Sequence, residues 1–123
     1  INLIGTNRLV TANTSTLRIT KPLTITGGGT LNVNSLSSCG ILVNHTDLTI
    51  TDCIVTAVGH EGITGEYDSG AKLLIRNATV TAEGKTALSA TSHHSRWKVA
   101  PSRSRRALRL TPLRMLSYSM ERW

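Results

Sequence analysis

An all-β fold, in which the chain winds through stacked coils of short strands, is predicted by three features of the first ninety residues. Short runs that alternate Leu, Ile or Val with Thr or Asn recur along this part of the sequence. Such alternation is typical of strands with one buried face, and Thr, Val and Ile favour strands. The runs repeat at an interval of about 25 residues, and Gly or Asn separates them. A repeat of this length predicts a solenoid.

The clearest repeated segment is LTIT at residues 23–26, which returns at 48–51 and again, as LLIR, at 73–76. A shorter copy begins at Ile1, so the repeat predicts about four coils. Two further runs follow each copy, which gives three strands per coil. These runs are residues 9–10 and 17–19, 31–33 and 41–43, 53–57 and 62–64, and 78–82 and 87–89.

Glycine and asparagine mark the joins between the runs, as at Gly59, Asn77 and Gly84. These residue types suit tight corners because they tolerate positive φ. The run Gly27-Gly28-Gly29 is predicted to be such a corner, since the Lys and Ser/Thr of a phosphate-binding loop do not follow it. Because every coil has the same phase, each strand should lie above its counterpart in the preceding coil. The sequence therefore predicts a parallel β-helix.

The phase of the alternation also predicts which side chains fill the core. Thr24, Thr49 and Thr51 should face solvent, and Leu74 falls on the same outer face. Cys53 has the phase of the inward residues, which predicts a buried free thiol. The predicted core residues are Leu23, Ile25, Leu31, Val33, Ile41, Leu48, Ile50, Val55, Ile63, Leu73, Ile75 and Val80.

The composition changes abruptly near residue 90. Residues 1–90 carry six basic and six acidic groups, so the net charge of +7 comes entirely from residues 91–123. That segment has no Gly and no Asn, but it contains both tryptophans. We therefore divide the chain into β-helix coils at 1–90 and an irregular, basic Arg/Ser-rich tail at 91–123, expected to be disordered.

Two hypotheses address the basic tail. Its arginines, near Trp97 and Trp123, could bind nucleic acid or another anionic surface, but Arg103 to Arg106 show no helical face, which disfavours this function. Alternatively the tail is an out-of-frame translation. Shifted codons permit LTLEGCTIT from within 91–123, which would lie over LTITDCIVT at 48–56 as a further coil.

The run PLTITGGGTLNVNSLSSCGILVNHTDLTITDCIVTAVGHEGITG resembles the right-handed parallel β-helix repeats of large bacterial surface or secreted proteins, many of them pectate-lyase-like or carbohydrate-binding. The resemblance covers residues 1 to about 90. It implies a right-handed β-helix in an extracellular or cell-surface bacterial protein. Polysaccharide lyases and glycosidases of this fold use clustered carboxylates, which hold calcium or act as an acid/base pair.

The acidic residues of this chain do not form such a cluster in the predicted columns. Asp47 aligns with Lys72 and Asp52 with Asn77, and neither has an acidic neighbour one coil away. Glu66 and Asp68 could meet in the excursion between Gly65 and Gly70, but solvated loop acids are the favoured interpretation. No catalytic residue is therefore predicted. Nor are a metal site or a cofactor, because the His-containing pairs lack further ligands at useful spacing.

The candidate binding residues are His60 and Glu61 in one turn and Glu66, Tyr67 and Asp68 in the excursion that follows. An aromatic ring beside carboxylates and an imidazole could stack on a sugar and accept hydrogen bonds from its hydroxyls. An ordinary polar turn is the structural alternative. The predicted partner is a polysaccharide or cell-surface glycan, besides neighbouring coils of a longer chain.

We therefore expect a non-catalytic structural or binding module, glycan-binding or adhesive, that is a piece of a longer extracytoplasmic protein. The chain lacks an initiator Met, a leader and any apolar run long enough to span a bilayer. The alternative is a fragment of a polysaccharide lyase or glycosidase whose active-site coils lie elsewhere.

Overall fold

The structure, a computed structural model, describes residues 1–65, 71–90, 96–99, 108–111 and 115–116, with side chains for 1–65 and 71–86. Every regular element among these residues is a β-strand. The strands form three parallel sheets, and the chain visits the sheets in turn, so that each coil adds one strand to each sheet. The all-β parallel β-helix predicted from the repeat is confirmed.

In each coil the chain passes through sheet I, then sheet II and then sheet III. Sheet I contains the longest strands. Sheet I consists of β1 (Thr6–Thr11), β4 (Thr30–Ser35), β7 (Ile54–Val58), β10 (Thr79–Glu83) and β13 (Leu108–Thr111). Sheet II consists of β2 (Leu17–Ile19), β5 (Cys39–Val43), β8 (Glu61–Gly65), β11 (Thr86–Ala90) and β14 (Met115–Leu116). Sheet III consists of β3 (Leu23–Ile25), β6 (Asp47–Thr51), β9 (Lys72–Arg76) and β12 (Arg96–Val99).

The register of the sheets follows the sequence repeat. Leu23 lies opposite Leu48, which in turn lies opposite Leu73. Stacking in this register pairs the backbone of each inner strand on both edges, which a single isolated coil cannot do. Equivalent residues of successive coils therefore lie directly above one another along the solenoid.

The core runs through the centre of the three sheets and matches the predicted phase. All the predicted core residues are buried except Leu23, which is half-buried and packs against the core. Thr24 is exposed, whereas Thr49, Thr51 and Leu74 are half-buried on the outer face. Cys53 is a buried free thiol, as predicted. Burial of each aliphatic side chain contributes roughly 1.5–3 kcal/mol, and this term holds the coils together.

The basic segment contains the backbone of three short strands. Strand β12 pairs with β9, β13 with β10 and β14 with β11, all parallel. The remainder of 91–123 lies outside the described residues. The predicted disorder of this segment, and its origin in another reading frame, stay predictions.

Candidate functional site

The turn that joins β7 to β8 carries His60, the first predicted binding residue, and neighbouring turns hold its backbone. The His60 amide donates to the Ser38 carbonyl at 2.9 Å, and the His60 carbonyl accepts from the Lys85 amide at 2.9 Å. Gly59 allows this stacking, because a Cβ there would meet the Ser38 carbonyl and lie 2.7 Å from the Gly40 amide nitrogen. The His60 side chain is exposed on a fixed backbone.

Glu61 begins β8 and lies between Cys39 and Thr86 of the adjacent coils. The Cys39 thiol donates a hydrogen bond to Glu61 Oε2 at 3.3 Å. Burial raises the pKa of Cys39 above its ordinary 9.0, and the hydrogen bond and charge of Glu61 raise it further. The thiol therefore stays protonated at neutral pH, and Glu61 holds it in place without activating it as a nucleophile.

Glu66, Tyr67 and Asp68 lie outside the described residues. His60 lies in the turn, and Glu61 follows it as the first residue of β8. Whether the other three candidates join them on one surface stays a prediction.

The described carboxylates are separated by the register. Asp47 lies opposite Lys72, Glu61 opposite Cys39 and Thr86, and Glu83 opposite Val58. Within the described part of the chain, no group of three or more His, Cys, Asp and Glu side chains is placed to hold a metal ion. No described carboxylate has another opposite it in these sheets.

The corner between sheets III and I holds a second polar arrangement, in which Asp52 and Asn77 have left-handed backbones with φ of 53° and 46°. The Asn77 Nδ2 donates to Asp52 Oδ1 at 2.5 Å, and the Thr51 hydroxyl donates to Asp52 Oδ2 at 2.8 Å. These two hydrogen bonds lower the pKa of Asp52 below its ordinary 3.8, and the charge of Arg76 lowers it further. Asp52 is therefore ionised at neutral pH.

An open pocket of about 350 Å³ lies at this corner. Its lining residues are Gly28, Asp52, Cys53, Ile54, Asn77, Ala78 and Thr79. The repeat predicts the column of Asp52 and Asn77 but does not predict the pocket. The sequence feature that could have indicated the pocket is Ile54, an aliphatic residue at an outward position of β7. Its side chain is 47% exposed.

Comparison with known proteins finds no matching protein family, no significantly similar curated protein and no significantly similar solved structure. The β-helix is thus established by the strands and their register. The pectate-lyase-like and carbohydrate-binding part of the resemblance has no family match behind it. In the described part of the chain, no helix is long and apolar enough to cross a membrane.

Proposed function

We propose that this chain is a non-catalytic β-helix module of an extracytoplasmic bacterial protein, and that it binds glycans with polar side chains displayed at its corners and turns. A stack of hydrogen-bonded coils is a rigid support, and rigid elements hold binding groups at fixed spacing. Glycan binding then depends on the outward side chains, because the inward side chains only pack in the core.

The observation that carries this proposal is the separation of the described carboxylates by the register. Glycosidases need two carboxyl groups about 5–10 Å apart on rigid elements. Here the residues opposite Asp47, Glu61 and Glu83 are Lys72, Thr86 and Val58, none of them acidic. Carboxylates that have no acidic register partner and lie beside polar groups suit the acceptance of hydrogen bonds from sugar hydroxyls.

The outer face of sheet I supports the same proposal. Asn32, Thr56 and Thr81 form one outward column across β4, β7 and β10. The adjacent inward residues Val55 and Val80 are buried, which fixes this orientation. The column offers amide and hydroxyl groups at intervals of about 4.8 Å along the solenoid. This regular polar surface can lie against an extended polysaccharide.

A glycan array tests the proposal when it is combined with an assay for release of reducing ends or unsaturated sugars. We expect specific binding without product. Replacement of His60 by Ala should weaken binding by about five- to tenfold, the value of one hydrogen bond. The control is Thr24→Ala, on an exposed position of sheet III. Product release would identify a polysaccharide lyase or glycosidase fragment, and absence of all binding would overturn the proposal.

A further inference from the structure

The pocket at the corner between sheets III and I arises from a change in corner length. Four residues separate Ile25 from Thr30, whereas three separate Ile50 from Ile54, although both ends are in register. The extra residue falls in the glycine run, where the Gly28 amide donates to the Asp52 carbonyl at 2.8 Å. A Cβ on Gly28 would have no atom within 4 Å, so space remains open beside Asp52.

The polar groups of the pocket have hydrogen-bonding capacity to spare. A carboxylate can accept about four hydrogen bonds. The Asp52 side chain is exposed, and its carboxylate accepts two hydrogen bonds in the structure, from Asn77 and Thr51. These two contacts fix its orientation before any ligand arrives, which lowers the entropic cost of binding.

The charges around Asp52 decide which class of ligand the pocket suits. Arg76 lies opposite Thr51, the residue before Asp52, so a positive charge is already present near the carboxylate. A metal ion would need further ligands, and no group of three metal-binding side chains occurs among the described residues. A cationic amine would meet like-charge repulsion from Arg76. A neutral molecule with several hydroxyl groups meets neither objection.

Ile54 adds one aliphatic side chain to a pocket whose lining is mainly polar. Its side chain lines the pocket and is 47% exposed, while Thr79 lies opposite it on the next coil. Sugar-binding sites combine a few fixed polar groups with an apolar surface for the C–H faces of the ring. The pocket volume is at the lower end of the range for ligand sites, which suits one or two sugar rings.

We infer that this corner, formed by Gly28, Asp52, Ile54, Asn77 and Thr79, is a binding site for a neutral sugar ring. The inference deepens the proposed glycan-binding function and rests on it. The site is distinct from the turn at His60, because the length of β7 separates the two by roughly 17 Å at about 3.3 Å per residue.

Amide chemical shifts during titration with methyl α-mannoside, methyl β-glucoside and methyl β-galactoside test the inference. At least one of these glycosides should shift the amides of Asp52, Ile54 and Asn77. In Asp52→Asn the Kd should rise about tenfold, since the charged acceptor is lost while Asn tolerates the left-handed backbone. Asp47→Asn removes an exposed acid outside the pocket and should leave the Kd unchanged.

A second variant, Gly28→Asn, fills the pocket and leaves Asp52 intact. Asn tolerates the φ of 75° at this position better than other non-glycine residues, and the space around it is open, so the fold should persist with only a slightly lowered thermal midpoint. Binding should fall by about tenfold or more. Amide shifts confined to other surfaces, or unchanged affinity in both pocket variants, would overturn the inference. Array binding with either result would leave the proposed function standing, whereas failure of both experiments would reject both.

Discussion

Strand β1 and strand β4 belong to the same sheet and have the same alternation, yet their inward residues differ in burial. Leu9 of β1 lies opposite Val33 of β4, but Leu9 is 44% exposed and Val33 is 1% exposed. The difference is the number of neighbouring strands. Strand β4 lies between β1 and β7, whereas β1 is the outermost described strand of its sheet. Within sheet I, the inward side chain of the edge strand is therefore less buried than that of an inner strand, whereas Ile19 and Ile25, in the edge strands of sheets II and III, are 3% and 0% exposed.

The largest test of this comparison places a charge at one inward position of an inner strand and at one inward position of β1. Ile50→Asp should lower the free energy of unfolding by more than about 4 kcal/mol, because Ile50 is fully buried and the carboxylate would have no partner. Leu9→Asp should cost about 1 kcal/mol, because nearly half of this side chain is already exposed. Urea unfolding measures both, and equal losses would show that the first coil is as tightly packed as the inner ones.

The tight stacking of inner turns gives the second test. Gly59→Ala should cost about 2–3 kcal/mol, because its Cβ would press on the backbone of Ser38 and Gly40. Gly5→Ala should cost about 1 kcal/mol, from its φ of 64° alone, because no atom lies within 4 Å of its Cβ. Thermal and urea unfolding compare the two variants. A larger loss for Gly5→Ala would contradict the steric role assigned to Gly59.

Thiol accessibility offers a third test in a Cys39→Ala background. Cys53 is 6% exposed, so a disulfide reagent should reach it only through opening of the fold, roughly a thousandfold more slowly than in urea. Adding Leu9→Cys should introduce one thiol that reacts at once, because this position is half-exposed. Absorbance stopped-flow counts the fast thiols. A single slow phase in both proteins would mean that the first coil excludes the reagent.

The smallest expected effect concerns the hydrogen bonds that Asp52 accepts from Thr51 and Asn77 at the corner between sheets III and I. The pKa of Asp52 lies below its ordinary 3.8, so its hydrogen bonds stabilise the fold at pH values above 3.8. This stabilisation is lost as pH falls through the lowered pKa. Urea midpoints of the parent and Asp52→Asn should therefore differ slightly at pH 7 and converge in acid. A difference that stays constant with pH would show that the charge of Asp52 contributes nothing.

The core was predictable from sequence because a period of two assigns each inward residue once the strands are located. Ile50, Val55 and Ile63 need only this rule and the repeat. The contact between Cys39 and Glu61 was not predictable, because those residues are 22 positions apart while the LTIT segments are 25 apart. The pocket escaped prediction for a related reason. It depends on how an extra glycine is accommodated at a corner, which a strand pattern does not record.

These unequal intervals show where such a chain can accept insertions and deletions during evolution. Leu23 and Leu48 are 25 residues apart and Ile41 and Ile63 are 22 apart, yet both pairs lie in register. The corners absorb the difference, so a codon gained or lost there leaves the ladders intact. Insertions and deletions at the corners can thus remodel the displayed surface while the interior is inherited unchanged. Selection can therefore act on ligand recognition at the corners without changing the residues that form the core.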